Sequence, residues 1–415
     1  MRAIRVLGVT AALGMLLGAA ACGGDPAPST PAKDKGNGKL EIWADPKRTA
    51  ALKPFADQFG KENGVTVEIK EIAENLQQVF VTGSQQGSGP DIVIGAHDWI
   101  GNLVQNSAID PVNLTAAQKS SFEAAALKAV TFNGQVYGAP YAMENIALFR
   151  NTELVPTAPA TIEDLVKAGT DLKTAGKVSE IMCLQVGAAG DAYHIYPIFA
   201  SAGGSLFGTT ASGDPDPKNV TVGSADSVKA FTKLKELGEK GSGALKTSIG
   251  NENSISTFAS KKCPFLISGP WATKDVKTGG VKYDISAVPG FAGGKKATPF
   301  LGVQAFYVAS KAKSKALAQE FVANYVTNKD VAKALYDADP RPPALTAAID
   351  AVKGADPDLV KFLAAGKDGF PMPAIPEMSA IWGPFGNAEV AVVKGEDAAT
   401  AAAAAQTAIL AALKK

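Results

Sequence analysis

A chain of 415 residues is longer than one average core supports, and the body after residue 38, about 375 residues, predicts two domains. Lysine and arginine (41) almost balance aspartate and glutamate (40), which leaves no electrostatic footprint for a nucleic-acid partner. Three cysteines are too few for a disulfide-stapled miniprotein.

Residues 1–21 have the pattern of an export signal peptide. Two arginines precede an apolar run of small residues that is too short for a membrane-spanning helix. Cys22 follows three alanines and precedes two glycines, which resembles a bacterial lipobox, although Ala19 stands where that motif usually has leucine. We expect cleavage before Cys22 and attachment of diacylglycerol to its thiol. The alternative is ordinary secretion after the alanine-rich site.

Residues 22–38 are rich in Pro, Gly, Ser, Asp and Lys and contain no large apolar side chain. Such a segment cannot bury enough surface to offset its ordering entropy, so we expect a flexible tether behind the lipid anchor. Nothing later in the sequence is long and apolar enough to span a membrane. The sequence therefore predicts a protein held at the extracellular face of the cell membrane by lipid alone.

Strands and helices alternate after the tether, which predicts a doubly wound α/β lobe. The apolar run Ile92 to Ile94 has no alternation, as expected for a parallel strand covered on both faces. The first predicted elements are strand 39–43, helix 49–63, strand 65–72, helix 76–82 and strand 91–94.

An extended apolar segment, 139–151, leads into a second α/β set. Strand 303–309 should cross back to the first lobe, and the chain after residue 358 should return to the second. The remaining predicted elements are helices 161–172, 195–202, 224–240, 316–327, 329–336, 359–365 and 400–413, and strands 181–186, 264–268 and 283–288. The lobes then comprise residues 39–143 with 305–354, and 146–302 with 357–415.

Cys183 and Cys263 remain once Cys22 is set aside. An even pair in an exported protein suggests one disulfide. Two separate buried thiols are the alternative.

Blocks spread over the chain from residue 39 to its end carry a family resemblance. In order they are KLEIW (39–43), GSGPDIVIGAHD (87–98), YAMENIALFRN (141–151), SGPWA (268–272) and MPAIPEMSAIW (372–382). Together they resemble the maltose/maltodextrin-binding-type solute receptors of bacterial ABC importers. The resemblance implies a two-lobe periplasmic-binding-protein-like fold (type II), hinged, with the ligand cleft between the lobes. It also implies a maltodextrin-type ligand, a permease partner, a monomer, and neither cofactor nor catalytic residue.

A saccharide site needs carboxylates for the sugar hydroxyls and flat aromatic rings for the sugar C–H faces. Asp98 and Trp99 lie just beyond the carboxyl end of the predicted strand 91–94, where ligands bind in open α/β sheets. Helix capping is the alternative for Asp98, a hinge salt bridge for Glu144, and core packing for Trp271. The resemblance places these residues at the sugar: Asp98, Glu144, Asp191, Tyr193, Trp271 and Trp382, together with Asp45, Lys47 and Arg48 in the loop after the first strand.

This sequence departs from the family's best-known members at several places. Gly95 replaces a tryptophan, Trp99 replaces an arginine, and Gly383-Pro384-Phe385 replaces a tyrosine-containing segment. We therefore expect Trp99 and Phe385 to stack on the ligand from new directions. Maltose itself becomes doubtful, and a longer or cyclic α-glucan such as a cyclodextrin, or another oligosaccharide, remains open.

A surface-anchored carbohydrate-active enzyme is the competing function, because a glycosidase needs only two carboxylates. The motifs HExxH, Walker A and GxSxG are missing from the sequence. The sequence therefore lacks the residue patterns typical of metal-dependent hydrolysis, phosphoryl transfer and acyl transfer. A peptide- or metal-capturing lipoprotein is disfavoured by the tryptophans and by the scarcity of His, Cys and Met.

Overall fold

The structure, a computed structural model, describes residues 38–211 and 215–414. The signal peptide, the Cys22 lipidation site and the tether as far as residue 37 lie outside the described residues, as does the side chain of Lys47. Within the described part of the chain, no helix is both long enough and apolar enough to cross a membrane.

The strands range from short two-residue pairings to a ten-residue crossing strand. They are β1 Lys39–Ala44, β2 Thr66–Glu71, β3 Ile92–Ala96, β4 Ile109–Asp110, β5 Thr131–Phe132, β6 Gln135–Val136, β7 Gly138–Asn145, β8 Ala147–Asn151, β9 Cys183–Leu184, β10 Phe207–Thr209, β11 Pro215–Val220, β12 Phe265–Ser268, β13 Tyr283–Ser286, β14 Phe300–Ala309 and β15 Phe370–Pro371.

The helices cover the two large sheets and the connections between them. They are α1 Pro46–Asn63, α2 Leu76–Gln86, α3 Ile100–Gln105, α4 Ala116–Ser120, α5 Ala124–Ala129, α6 Ile162–Thr174, α7 Ala192–Ser201, α8 Ala225–Leu237, α9 Ser254–Ala259, α10 Thr273–Thr278, α11 Lys315–Glu320, α12 Lys329–Ala338, α13 Thr346–Val352, α14 Pro357–Ala365, α15 Trp382–Val393 and α16 Ala398–Ala412. Short 3₁₀ turns form at His97–Trp99, Pro270–Ala272 and Pro376–Ala380, and a π-helical turn at Phe321–Tyr325.

The first sheet has the strand order β15-β14-β3-β1-β2, with β4 and β7 also paired to β14. Strand β3 lies parallel to β1 but antiparallel to β14, because β14 enters from the opposite end of the sheet. Ile92, Val93 and Ile94 are fully buried, as their apolar run predicts. The predicted parallel pairing is present with β1, whereas the pairing with β14 makes the sheet mixed.

The second sheet has the order β13-β8-β12-β9 and is also mixed. Strand β8 is antiparallel to β12 and β13, whereas β12 and β9 are parallel. The predicted strand 181–186 shrinks to the two residues of β9. Its end leaves the ladder because the N–H groups of Val186 and Gly187 donate to the carbonyl of Ile249 instead.

Two main hydrophobic cores accompany the two sheets. One draws its buried side chains from residues 40–142 and 303–348, the other from 146–300 and 372–409. We call the parts built around these cores the first and second lobes. Their exact boundaries stay a prediction.

Three stretches of chain connect the lobes. Strand β7 pairs in the first sheet and β8 in the second, so the chain crosses at Ile146. A second crossing lies at the start of β14, where Phe300 packs in the second core and Val303 in the first. The chain is back at the second sheet in α14, which packs on β13, and the segment from β15 to α15, which we call the third crossing, then contacts both cores. In the third, Pro376 lies so close to α3 that a Cβ on Gly101 would sit 2.4 Å from its nitrogen.

Cys183 and Cys263 form a disulfide, with an S–S distance of 2.03 Å and both residues fully buried. The suggested pairing is confirmed. The bond ties β9 to the segment that enters β12, and both strands lead towards the cavity described below.

Candidate functional site

A cavity of about 460 Å³ lies between the two lobes. It opens beyond the carboxyl ends of β3 and β12, where the sheet geometry favours ligand binding. Both lobes and the third crossing line it. Its lining residues are Arg48, Ala96, Asp98, Trp99, Glu144, Gln185, Asp191, Tyr193, His194, Asn251, Trp271, Gln304, Arg341, Met372 and Trp382.

Asp98 lies in the 3₁₀ turn that follows β3. Its side chain does not cap α3, whose N-cap is Trp99, so the helix-capping alternative for Asp98 does not apply to that helix. Burial raises the pKa of Asp98 to about 6, against the opposing effect of hydrogen bonds from its own backbone and from Trp382. Because Trp382 belongs to the second lobe, this hydrogen bond joins the two walls of the cavity.

Glu144 lies in β7, just before the first crossing. One carboxylate oxygen accepts a hydrogen bond from Gln304 Nε2 at 3.0 Å, and the other forms an ion pair with Arg341. Arg341 also pairs with Asp339 at 2.6 Å. Burial and the neighbouring Arg48 lower the pKa of Arg341 to about 9, so its guanidinium stays charged at neutral pH. Glu144 therefore both forms the salt bridge and lines the cavity.

Trp271 lies in the 3₁₀ turn after β12 and lines the cavity. The guanidinium of Arg341 lies 4.9 Å from the centroid of its ring. On the second lobe, Tyr193 and His194 flank the same indole at centroid distances of 6.4 and 5.8 Å. The Trp271 indole thus contacts residues of both lobes, and it is partly buried against the second core.

Asp191 caps helix α7 by accepting hydrogen bonds from the N–H groups of Tyr193 and His194. Its other carboxylate oxygen accepts from Gln185 Nε2 at 2.5 Å. Burial alone would raise the pKa of Asp191, but the charge and hydrogen bonds of His194 hold it below its ordinary value. The Tyr193 hydroxyl is buried beside the cavity and has no hydrogen-bond partner among the described residues.

Glu389 supports Asp191 from behind the cavity. It is fully buried in α15 and accepts a hydrogen bond from the Asp191 N–H at 2.6 Å. Burial raises the pKa of Glu389 well above its ordinary value. The raised pKa favours the neutral form of this carboxyl, and its hydrogen bond from the Asp191 N–H positions the start of α7.

The family model for the bacterial extracellular solute-binding protein matches residues 55–361, which is most of the chain. The chain belongs to this family. It is 28% identical to a maltooligosaccharide ABC transporter solute-binding lipoprotein of Streptococcus pneumoniae, over 100% of this chain and 98% of the relative.

Two further relatives fit the same family. A galactooligosaccharide-binding protein of Bacillus subtilis is 26% identical over 92% of this solute-binding protein and 90% of the relative. The structure of a Thermus thermophilus maltotriose-binding protein with bound maltotriose superposes with a TM-score of 0.81. It shares 28% identity and covers 90% of this chain and 100% of the other. The predicted periplasmic-binding-protein-like fold is confirmed.

Several predicted site residues of this solute-binding protein meet at the cavity, and others do not. Asp45 caps α1 and pairs with Arg48, which itself lines the cavity and donates to the Tyr141 hydroxyl at 2.5 Å. Asp45 is thus not among the residues that line the cavity. Its carboxylate forms an ion pair with Arg48, which does line it.

Phe385 is the clear error of the sequence reading. It is fully buried in α15, with its ring 4.9 Å from that of Phe199 and 5.3 Å from that of Phe231. These two rings belong to α7 and α8, so Phe385 is part of the second core. It cannot stack on a ligand in the cavity.

The sequence reading missed Gln185, Asn251, Gln304, Arg341 and Met372, which all line the cavity. One signal was visible for Gln304, a polar residue inside the otherwise apolar strand β14. Arg341 stands between prolines in a stretch without helix or strand pattern, and nothing local points to its ion pairs.

His97, the first residue of the 3₁₀ turn after β3, is fully buried. Its Nδ1 accepts a hydrogen bond from the Val303 N–H at 3.1 Å, so its Nε2 donates to the Met372 carbonyl at 3.0 Å. Burial lowers the pKa of His97 to about 4, which keeps the ring neutral. His97 thereby fastens β3 to β14 and to the third crossing.

A second cavity, about 570 Å³ in volume, lies beside the third crossing and shares Met372 with the first. Its lining is mainly apolar, including Phe132, Phe207 and Phe370, and Lys128 is its one charged residue among those described. It lacks the carboxylates and indoles of the first cavity. The first cavity is the candidate ligand site.

Proposed function

We propose that this solute-binding protein captures a maltodextrin-type oligosaccharide in the cavity between its lobes and delivers it to the permease of an ABC importer. The observation that carries the proposal is the convergence of three indoles, Trp99, Trp271 and Trp382, with the carboxylates of Asp98, Glu144 and Asp191 around one cavity. Residues from both lobes contribute to each set, as required of a site that closes around its ligand.

These side chains match the chemistry of a sugar. Each indole stacked on a pyranose C–H face contributes on the order of 0.5–1.5 kcal/mol beyond area burial, if it packs as aromatic pairs do. A carboxylate that accepts a sugar hydroxyl contributes roughly 1.5–3 kcal/mol. The buried Tyr193 hydroxyl gains the partner that it lacks among the described residues.

The charges favour a neutral ligand over an anionic one. Arg48, Arg341 and His194 are the basic residues of the lining, and each already lies beside a carboxylate of the protein. An acidic sugar would have to break these pairs, or lie beside Asp98 and Asp191. An uncharged oligosaccharide needs neither.

The relatives support the ligand class, since the pneumococcal protein is named for maltooligosaccharides and the Thermus protein holds maltotriose. The Bacillus relative, named for galactooligosaccharides, supports a second candidate ligand at similar identity. Closure would be a hinge motion of the two lobes. Sugar would shift the equilibrium between the open and closed states only by binding the closed state more tightly.

Anchoring and delivery complete the proposal. Cys22 would carry the lipid, residues 22–38 would act as the tether, and the protein would work as a monomer at the extracellular face of the membrane. Energy for transport would come from the importer's own ATPase. The protein would capture sugar without turnover, so incubation with maltooligosaccharides should release no new reducing ends.

The test is a calorimetric titration of the mature protein with maltose through maltoheptaose, cyclodextrins, galactooligosaccharides and sucrose. We expect saturable binding of maltooligosaccharides, weakened by Trp271→Ala and Trp382→Ala. Trp43→Phe is the matched control, because Trp43 is buried in the first core away from the cavity. Tight binding of galactooligosaccharides alone would transfer the proposal to that ligand, and no response to any glycan would overturn it.

A further inference from the structure

Trp99 lies over the backbone of Gly95. A Cβ placed on Gly95 would be 2.0 Å from Cζ3 of the Trp99 indole and 2.3 Å from Cε3. Real Cβ atoms do not approach other heavy atoms so closely. The ring therefore occupies the volume that a side chain at position 95 would need.

Backbone conformation does not explain this glycine. Gly95 is absent from the described residues with positive φ and sits in regular β pairing opposite Ala305 of β14. Any L-residue adopts such a strand conformation. Position 95 has no room for a side chain, because the Trp99 ring fills that space.

The second lobe repeats the arrangement with different residues. A Cβ on Gly269 would lie 2.1 Å from Cζ3 of Trp271. Gly269 has φ −97° and ψ −176°, again an extended backbone that needs no glycine. In both lobes a glycine at the cavity end of a strand leaves room for an indole that lines the cavity.

Trp382 offers a contrast. A Cβ on the adjacent Gly383 would meet nothing within 4 Å. Trp382 is held instead by its hydrogen bond to Asp98 and by an edge contact with Phe300, at a centroid distance of 6.3 Å. Among the three indoles that line the cavity, only Trp99 and Trp271 therefore lie in the space that a side chain on a nearby glycine would need.

We propose that Gly95 is a specificity-determining position, which fixes the placement of the Trp99 indole and so the place where a sugar ring stacks on the first lobe. This inference rests on the proposed oligosaccharide function. Gly269 acts in the same way on Trp271. A side chain as small as a methyl group at position 95 displaces Trp99 and removes its contact with the sugar, although no ligand atom need touch residue 95.

The test is a double-mutant cycle of Gly95→Ala, Trp99→Ala and the combined variant, read by maltooligosaccharide affinity and by thermal midpoint. We expect Gly95→Ala to weaken binding about as much as Trp99→Ala, by roughly 2- to 12-fold. The double variant should bind no worse than Trp99→Ala alone. Gly354→Ala is the control, since a Cβ there meets nothing within 4 Å.

The stability arm separates this inference from the proposed function. Gly95→Ala should lower the thermal midpoint in the wild-type background, and the loss should shrink when Trp99 is alanine, because the overlap disappears. If no maltooligosaccharide binds the wild type, the proposed function fails, while this arm still tests the Gly95–Trp99 coupling. If Gly95→Ala lowered the thermal midpoint or the affinity equally in the wild-type and Trp99→Ala backgrounds, the coupling would be overturned.

Discussion

The guanidinium of Arg341 lies over the indole of Trp271, 4.9 Å from the ring centroid. Glu144 and Asp339 hold the guanidinium in place through ion pairs. The segment that carries it also pairs with β7, since the Met143 N–H donates to the Pro342 carbonyl at 2.7 Å. Trp271 follows β12 of the second lobe. The contact therefore joins the lobes through one of the residues proposed to bind sugar.

Arg341→Ala should lower both the thermal midpoint and the affinity for oligosaccharide. Removing one partner of a buried ion pair costs about 3–5 kcal/mol, because Glu144 keeps a buried charge without compensation. Arg341→Lys keeps the charge but loses the planar face that stacks on the indole, so it should recover stability better than affinity. Thermal unfolding and calorimetric titration measure the two effects. Equal midpoints for Arg341→Ala and wild type would contradict the prediction.

Oligosaccharide affinity should fall as the pH drops through about 6. Burial raises the pKa of Asp98 to that value from an ordinary 3.8, and the protonated carboxyl loses the charge that strengthens its bonds to sugar hydroxyls. Titrations at pH 4.5 to 8 should show this step in wild type and lose it in Asp98→Asn. An unchanged step in that variant would assign the titration to another group.

Asp98 should also affect the stability of the ligand-free protein. Its native pKa lies above the unfolded value, so the native state holds the proton more tightly. Its contribution to the free energy of unfolding is therefore largest below pH 3.8 and is lost as the pH rises through about 6. Asp98→Asn should raise the midpoint relative to wild type at pH 7 more than at pH 4. The reverse order would contradict the raised pKa.

Glu389→Gln should preserve binding and stability better than Glu389→Ala, because burial favours the neutral form of the native carboxyl and glutamine keeps an acceptor for the Asp191 N–H. Wild type and Glu389→Gln should diverge as the pH rises: burial raises the pKa of Glu389, so its contribution to stability is lost as the pH passes through the native pKa. Glutamine cannot ionise, so the midpoint of this variant should stay constant over the pH range in which that of wild type falls. Glu389→Ala, which leaves the Asp191 N–H without its acceptor, should weaken binding at every pH. Thermal scans from pH 6 to 10 provide the comparison.

Reduction of the Cys183–Cys263 disulfide should destabilise the protein substantially. The bond closes a loop with a sequence separation of 80, for which the chain-entropy model gives about 4–5 kcal/mol. Urea unfolding with and without reductant measures the effect. A Cys183→Ser, Cys263→Ser variant serves as the control, since its midpoint should not respond to reductant. A response in that variant would point to Cys22 or to an indirect effect.

Phe385→Leu should lower stability while leaving oligosaccharide affinity unchanged. The ring packs in the second core against Phe199 and Phe231, so its loss leaves a cavity there and not at the ligand site. Denaturant unfolding and titration of the same preparation separate the two properties. A loss of affinity without a loss of stability would restore Phe385 to the binding site.

Local patterns in the sequence determined much of the fold and part of the site. The unbroken apolar run of β3 predicted a buried strand, and the sheet geometry then placed Asp98 and Trp99 beyond its end. The Gly-Pro step before Trp271 ended β12 and left the indole outside the strand. Such features depend on neighbours a few residues apart, and the side-chain periods of strands and helices express them directly.

Only the tertiary structure decided which side chains meet. Arg341 reaches Trp271 across 70 positions of sequence, and Gln304 reaches Glu144 across 160. Phe385 and Trp382 lie in the same helix, yet the packing of α7 and α8 buries one and leaves the other at the cavity. Ion pairs, burial and the steric fit of Trp99 over Gly95 depend on distances between remote segments, which no local pattern encodes.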